Sequence, residues 1–424
     1  MRQASALNLD PGAGPWRAVV AGMCASLVGI GLARFAYTPL IPVLIAEGWF
    51  APAEVAYLGA ANLAGYLAGA LLARGMAQRA GAATPLRVMM LLASATFFAS
   101  ALPLSFAWYF VWRLASGLAG GVLMVLAAPT VLAAVAPSRR GLAGGAVFTG
   151  VGLGIAVSGT LVPLLLRLGL VATWCGLGAL ALALTVLAWR GWPAGPAAAS
   201  ALRPDPQDRA PRAGRALRAL YVEYGLCAIG LVPHMVFLVD FVARGLGRGL
   251  DAGAGYWVLF GLAACVGPLL AGRLADRIGF GPALRLAFLV QAAAVAWPAL
   301  ADGALGLTVS SIVIGAAVPG VVPLVLGRVQ ELAGPGAHGR TAAWSTATTA
   351  FALGQAGAAY GFSFVFAQTG SHAPLFALGA AALALALAVD LATNRGGRSA
   401  AVQAQPPLRP DIGGERRLGR DLGP

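Results

Sequence analysis

Two arginines stand inside long apolar stretches of the sequence, Arg34 in the first and Arg113 in the fourth. A charge inside a membrane is costly, so each side chain needs a wet cavity or a polar partner. Tyr37 and Thr38 follow Arg34 at i+3 and i+4, which puts two hydroxyl groups on its helical face. No acid accompanies either arginine, and a guanidinium group holds a carboxylate or phosphate through paired hydrogen bonds. The pattern predicts a positively charged pocket for an anion; for Arg113 the alternative is a structural or proton-relay role on backbone carbonyls.

A glutamate and a histidine share one face of the seventh apolar stretch. Glu223 and His234 are separated by three helical turns. A carboxyl or imidazole group inside a membrane can carry a proton, so both are candidates for proton coupling. Glu223 lies near the end of its stretch, and the alternative for it is a local ion pair with Arg215 or Arg218. The alternative for His234 is a hydrogen-bonded core residue.

Three side-chain amides lie in other apolar stretches, namely Asn62, Gln291 and Gln355. They either line a cavity or join neighbouring helices by hydrogen bonds. The four cysteines have no metal-ligand spacing, and no HExxH or supported Ser/His/Asp grouping is present. A GxxxxGK[ST] nucleotide-binding loop would need a lysine, which the chain lacks. We therefore expect no metal, no cofactor and no catalytic residue, and the sequence excludes an ATP-driven pump.

The composition places these residues in a membrane protein. Of the 424 residues, 59% are apolar and only 10% are charged, against roughly 25% charged residues in a soluble domain. A membrane-spanning helix needs about 20 apolar residues, and this rule gives twelve predicted spans in an all-α integral membrane protein. They cover residues 18–44, 54–73, 84–104, 107–135, 142–166, 171–189, 217–241, 253–271, 282–300, 304–327, 341–366 and 373–391.

The arginines are distributed unevenly between the two faces of this predicted membrane protein. Along the connections, 24 flank one face, 3 flank the other and 2 lie inside spans, which accounts for all 29. Basic residues concentrate on the cytoplasmic face of a membrane protein. The bias predicts that both chain ends are cytoplasmic. It also explains the net charge of +14 by membrane topology, so we expect no nucleic-acid partner.

The longest connection divides the predicted spans into two sets of six. Residues 191–216 are rich in Pro, Ala and Arg and predict a flexible cytoplasmic linker. The linker separates a first six-helix bundle at 18–190 from a second at 217–391. A cytoplasmic tail at 1–17 and a disordered tail at 392–424, weakly attracted to anionic lipid, complete the expected organisation.

Several motifs resemble signatures of one transporter family. They are GRLADRIG (272–279) after the eighth span, RLASG (113–117) in the fourth, GVGLG (150–154) in the fifth and GIGLARFAYTPLIP (29–42) in the first. These motifs are similar to those of the major facilitator superfamily, and the last resembles its YbfB/YjiJ-like branch. The resemblance implies twelve helices in two pseudo-symmetric six-helix bundles and alternating access at a central cavity. Weak internal repeats at an offset of about 200 residues agree with that architecture.

The motif after the eighth span implies a gate. In the family its aspartate helps to latch the outward-facing state. The first-half copy, GALLARGM, keeps Arg74 but has Ala73 where the family has that aspartate. The resemblance therefore places the latch on the second copy; the alternative is an interfacial charge that only fixes topology. The matching residues of the second copy are Gly272, Asp276, Arg277 and Gly279.

Together these observations predict a monomeric, twelve-span secondary transporter of a bacterial-type inner membrane. It would move a small organic solute by alternating access and use the proton gradient. The positive pocket favours an organic anion, while efflux by proton antiport and uptake by symport both stay open. The alternatives are a multidrug or neutral-solute efflux antiporter and, from another class, a non-transporting membrane sensor.

Overall fold

The computed structural model describes residues 15–135, 140–193, 214–333 and 337–403, and it is helical with no strand in those ranges. Twelve helices in this part of the chain are long and apolar enough to cross a membrane, which confirms the predicted fold class. They are α1 (Trp16–Ala46), α2 (Pro52–Ala80), α3 (Ala83–Ser100), α4 (Phe106–Ala133), α5 (Ala143–Leu166), α6 (Leu170–Ala188), α7 (Arg215–Gly245), α8 (Gly249–Ile278), α9 (Phe280–Leu300), α10 (Ala304–Leu332), α11 (Ala343–Thr369) and α12 (Ala373–Thr393).

Helices α2 and α8 run further than their apolar stretches. We call the face at which α1 begins and α12 ends the tail side, and the opposite face the far side. α2 and α8 continue to Ala80 and Ile278, about two turns beyond the predicted ends on the tail side. The GRLADRIG motif, which the sequence places after the eighth span, therefore forms the last turns of α8, and only Gly279 (φ 85°) makes the turn. Hydropathy reports where a helix crosses lipid, and a helix can continue into water on its own hydrogen bonds.

The chain termini and the predicted linker are described only in part. Most of the expected N-tail, the linker residues 194–213 and the tail residues 404–424 lie outside the described ranges. The last helix runs on from Ala373 to Gln403, so the first part of the tail that was expected to be disordered is helical.

The two six-helix halves meet along three helix pairs: α1 with α7, α2 with α11, and α5 with α8. The rings of Tyr57 and Tyr360 lie 6.4 Å apart between α2 and α11. A Cβ built on Gly159 of α5 would lie 2.7 Å from Val258 of α8. These contacts, like those between α1 and α7, fall in the far-side half of the helices, so the halves are closed against each other there.

Glycines set the helix spacing inside each half. A Cβ on Gly117 of α4 would lie 1.8 Å from the backbone oxygen of Asn62 on α2. In the second half, a Cβ on Gly267 of α8 would lie 2.0 Å from the backbone oxygen of Ala316 on α10. Helices approach this closely in a membrane only where small residues face each other. The equivalent pairs α2–α4 and α8–α10 thereby fix the positions of side chains at mid-membrane.

Candidate functional site

The first helix loses regular α geometry near the middle of the membrane. A π-helical segment, Leu27–Leu32, is followed by a turn and by a 3-10 segment, Phe35–Leu40. The irregularity begins about three turns before Pro39, the proline inside the 3-10 segment. Such a break loosens the i→i−4 ladder and makes backbone carbonyls available to side chains.

The carbonyl of Ala33, inside this break, accepts hydrogen bonds from three side chains. Arg113 Nη1 donates to it at 3.0 Å, Ser116 Oγ at 2.9 Å and Asn62 Nδ2 at 3.5 Å. The Asn62 amide also approaches Ser116 Oγ at 3.3 Å. One irregular carbonyl therefore ties α2 and α4 to α1.

Arg113 is buried, with 4% of its surface exposed. Its guanidinium carbon lies 4.0 Å from the centre of the Tyr37 ring, a cation–π contact. Its Nε is buried and has no hydrogen-bond partner among the described residues. The bond to the carbonyl of Ala33 suits the structural role predicted for Arg113. Its unused N–H donors suit the binding of an anion.

Arg34 is half-buried and lies beside the same cavity. Its guanidinium group contacts the rings of Phe35 and Tyr66, with its carbon 5.2 and 5.3 Å from their centres. Its hydrogen-bond contact is a weak one, from Nη2 to the sulfur of Met235 at 3.9 Å. Arg34 forms no ion pair with an acid in the described part of the chain.

Tyr37 and Thr38 lie in the cavity wall, but their hydroxyl hydrogens are already used. Tyr37 donates to the carbonyl of Val55 at 2.9 Å, and Thr38 donates to the carbonyl of Met235 at 2.7 Å. In this conformation each hydroxyl therefore offers an incoming ligand only its oxygen lone pairs.

The seventh helix breaks opposite the first. π-helical segments cover Pro233–Phe237 and Phe241–Gly245, and the first of them contacts residues 35–40 of α1. Gln355 of α11 donates to the sulfur of Met235 at 3.5 Å, while its own oxygen is buried without a described partner. Sequence reasoning missed Met235, because an apolar side chain gives no signal of a polar role.

The cavity between these groups is small, about 10 Å³, which is room for one water molecule at most. It is lined mainly by α1, α2, α4 and α7. The cavity residues are Arg34, Tyr37, Thr38, Gly59, Asn62, Leu63, Arg113, Met235 and Val236. Five of the residues selected from the sequence are thus brought together at one place, but a substrate requires this place to open.

The GRLADRIG motif and Arg74, which the sequence predicts to form a gate, lie on the tail side. Asp276 and Arg277 are exposed, Arg74 is half-buried, and Gly272 has open space around it. Asp276 forms no ion pair with any residue that the structure describes.

Comparison with known proteins identifies the chain. A family model described as "Uncharacterised MFS-type transporter YbfB" matches residues 26–391. The chain belongs to this family of the major facilitator superfamily. Family and fold mark it as a transporter and not an enzyme. No curated protein matches the sequence.

Solved structures of other major facilitators share the fold. One is a bacterial homologue of the human lysosomal transporter Spinster in an inward-facing and occupied conformation. Its sequence is 16% identical, the TM-score is 0.65, and the match covers 91% of this chain and 98% of that one. At this identity the likeness concerns the fold alone.

Glu223 of this major facilitator lies outside the central cavity, buried on the tail-side part of α7. It forms no ion pair with Arg215 or Arg218, the partners considered from the sequence. Its charged neighbours are Asp390, Arg328 and Arg285, which come from α12, α10 and α9. Arg285 and Asp390 themselves form an ion pair. The carboxyl group therefore belongs to a four-helix charge cluster inside the second half.

His234 and Gln291 are also buried in the second half and not in the central cavity. His234 Nε2 lies 2.7 Å from Ser310 Oγ, and Ser310 donates its hydrogen to the carbonyl of Ala294 at 2.6 Å. Because that hydroxyl hydrogen is used, we assign the histidine hydrogen to Nε2; Nδ1 then has no described partner. Gln291 accepts a weak hydrogen bond from Cys227 at 3.6 Å, and its amide nitrogen is unpartnered among the described residues.

A buried ion cluster on the far side of this transporter was not anticipated. Asp240, completely buried, contacts Arg244 Nε at 2.5 Å and His372 Nε2 at 2.7 Å. The i, i+4 spacing of Asp240 and Arg244 was a usable sequence signal. His372 precedes α12 and was not predictable, because it is 132 residues away.

Proposed function

We propose that this major facilitator is a proton-coupled secondary transporter of a small organic anion. The observation that supports the anion is the pairing of two guanidinium groups, Arg34 and Arg113, at one cavity whose lining includes no acid. Two cations held together in a membrane favour a ligand that supplies negative charge.

Both arginines retain hydrogen-bonding capacity for such a ligand. A guanidinium group has five N–H donors, and the acceptors described for Arg34 and Arg113 are a thioether and one carbonyl. A carboxylate is a far better acceptor than a thioether, so it would displace Met235 from Arg34. The side-chain amides of Gln355 and Asn62 would supply further polar contacts to the ligand. The oxygen of Gln355 has no described partner, and the hydrogen bonds from the amide of Asn62 are long.

Glu223 is our candidate for the proton carrier. Its protonation removes one negative charge from a cluster that holds Arg285, Arg328 and Asp390 on three other helices. Neutralising one member of such a network changes the balance of attraction among α7, α9, α10 and α12. One of those helices, α7, carries Met235 in its far-side part, and Met235 contacts Arg34 of α1. Either proton symport or antiport is compatible with this arrangement.

The proposed setting is a bacterial-type inner membrane with both chain ends in the cytoplasm. It rests on the arginine bias of 24 to 3 between the two faces. The tail side is then the cytoplasmic side, and the far-side closure corresponds to an inward-facing protein. Gate residues Arg74 and Asp276 would pair with other groups only when the tail side closes. We propose that the unit is a monomer in contact with anionic lipid.

Thermal stability of the purified protein against a panel of small organic acids, sugars and cationic drugs tests the anion pocket. An acid that stabilises the wild type should lose affinity about tenfold or more in Arg34→Ala, because a charge-assisted hydrogen bond is lost. Arg79→Ala is the matched control, since Arg79 is exposed at the tail-side end of α2. Stabilisation by neutral or cationic compounds alone, with Arg34→Ala responding equally, would instead support the drug-efflux alternative.

Proton coupling is tested in vesicles loaded with a pH indicator. Addition of the stabilising acid should move protons in the wild type, and Glu223→Gln should abolish proton movement while leaving acid binding in place. Glu47→Gln, an exposed carboxylate at the far-side end of α1, serves as the control. Proton movement that persists in Glu223→Gln would assign the coupling to another group. Vesicles in which no panel compound moves at all would favour the sensor function.

A further inference from the structure

A second, larger cavity lies at the far-side ends of α5 and α8. Its volume is about 650 Å³, within the range of roughly 300–1,000 Å³ that small-molecule sites occupy. It is a groove between the two six-helix halves, because α5 belongs to the first and α8 to the second. The central cavity is on other helices, so the groove is a separate feature of the molecule.

The groove carries one positive and one negative side chain. Arg167 follows the last residue of α5, and Asp251 is in the first turn of α8. Both are exposed, and they do not form an ion pair with each other or with another described residue. Opposite charges that line one groove without pairing leave space for a ligand between them.

Arg167 differs from the other far-side arginines in this respect. Arg244 is bound by Asp240, and Arg248 donates to the carbonyl of Asp302. The side chain of Arg167 has no hydrogen-bond acceptor of either kind in the described part of the chain. Its guanidinium group is therefore the one of these three that remains available for an outside anion.

The walls of the groove below the charges are largely apolar. Pro163 and Leu164 form the α5 wall, and Ala254 and Val258 form the α8 wall. Leu164 is 55% exposed. Helix ends lie at the membrane surface, so the charged end of the groove meets the headgroup layer and the apolar end meets the acyl chains. This order of polar and apolar groups matches one phospholipid molecule.

We propose that the groove binds a zwitterionic phospholipid with a primary ammonium headgroup from the far-side leaflet. Its phosphate pairs with Arg167, its ammonium donates to Asp251, and an acyl chain lies along Leu164 and Val258. Because the two charged residues belong to different halves, the bound lipid bridges the halves and stabilises the closed far side.

Native mass spectrometry of the full-length protein, with equimolar phosphatidylethanolamine and phosphatidylglycerol of equal chain length, tests this site. Wild type should retain phosphatidylethanolamine in preference, and Arg167→Gln and Asp251→Asn should each lower its retention about threefold, the effect of an exposed ion pair. Arg79→Gln, outside the groove, should retain it like the wild type. Equal retention of both lipids, or retention unaffected by Asp251→Asn, would overturn the zwitterionic site.

A steric variant tests the groove independently of charge. Gly255 lines the groove and has open space where a side chain would begin, so Gly255→Trp should fold and block lipid retention. Phosphatidylethanolamine should also raise the thermal midpoint of the wild type more than that of Arg167→Gln. Glycerophosphoethanolamine, the headgroup without acyl chains, should not compete at equal concentration. Equal competition would assign the groove to a soluble zwitterion, and undiminished retention by Gly255→Trp would overturn the groove as the site.

Discussion

The hydroxyl of Thr38 donates a hydrogen bond to the backbone carbonyl of Met235, 2.7 Å away and 197 residues along the chain. The bond is buried and joins the irregular segment of α1 to the irregular segment of α7. It therefore connects the two halves directly beside the paired arginines, and it must break when the far side opens.

Loss of this bond should shift the protein towards a far-side-open state. Thr38→Val removes about 1 kcal/mol of hydrogen bonding from the closed state alone, which corresponds to roughly a fivefold change in the ratio of states. Spin labels at Glu47 and Asp302, in a variant without the four native cysteines, report the far-side distance by electron–electron double resonance. Thr96→Val is the control, because Thr96 bonds within its own helix. Identical distance distributions for Thr38→Val and the control would contradict the prediction.

Arg113 and Ser116 should be energetically coupled, because both donate to the carbonyl of Ala33. Ser116→Ala alone should lower the unfolding free energy by about 1 kcal/mol or less, since Arg113 still satisfies the carbonyl. The double variant with Arg113→Met should lose up to about 1 kcal/mol more than the sum of the single changes, because only the longer contact from Asn62 then remains on the carbonyl. Unfolding in a denaturing detergent measures these values. Ser116→Ala combined with Arg87→Met is the control pair, and its two losses of unfolding free energy should be additive. An equal departure from additivity in both pairs would argue against a shared carbonyl.

The close approach of α2 and α4 makes Gly117 intolerant of any side chain. Gly117→Ala would place a Cβ 1.8 Å from the backbone oxygen of Asn62, so we expect a loss of folded protein on size-exclusion chromatography. Gly75→Ala, on α2 with open space around it, should be neutral or stabilising by up to about 1 kcal/mol because alanine favours helix. A well-folded Gly117→Ala variant would show that the helix pair is spaced more widely.

The far-side ion cluster should contribute measurably to stability. Asp240→Asn leaves Arg244 and His372 without a charged partner. Asp240 is buried and the Arg244 side chain is 31% exposed. We therefore expect the free energy of unfolding to fall by about 2–3 kcal/mol. Glu331→Gln breaks an exposed ion pair on α10 and should change stability by less than about 1 kcal/mol. Thermal unfolding of the two variants provides the comparison. Equal midpoints would mean that the buried cluster is no more important than a surface pair.

The sequence predicted the helices better than it predicted their partners. Hydropathy located all twelve spans, because crossing a membrane requires a long apolar stretch whatever the tertiary fold. The sequence also predicted a positively charged pocket at Arg34 and Arg113, and the structure places both side chains at one cavity. The ends of α2 and α8 were missed because hydropathy does not register a helix that leaves the lipid.

The remaining details of the site depend on tertiary packing. The carbonyl of Ala33 and the sulfur of Met235 carry no polar signal in the sequence, yet both accept hydrogen bonds from the selected residues. The neighbours of Glu223 come from three helices of the second half, and local spacing suggested Arg215 and Arg218 instead. Interactions between residues over a hundred positions apart cannot be derived from periodicity.

The thioether of Met235 makes the central cavity sensitive to oxidation. As a soft, weak acceptor it holds Arg34 and Gln355 at 3.9 and 3.5 Å without competing strongly against an arriving ligand. Oxidation to the sulfoxide would add an oxygen to this sulfur, and that oxygen is a strong, polar acceptor beside both donors. The residue that makes the site easy to occupy would then act as a permanent internal competitor, and a methionine sulfoxide reductase would be needed to restore transport.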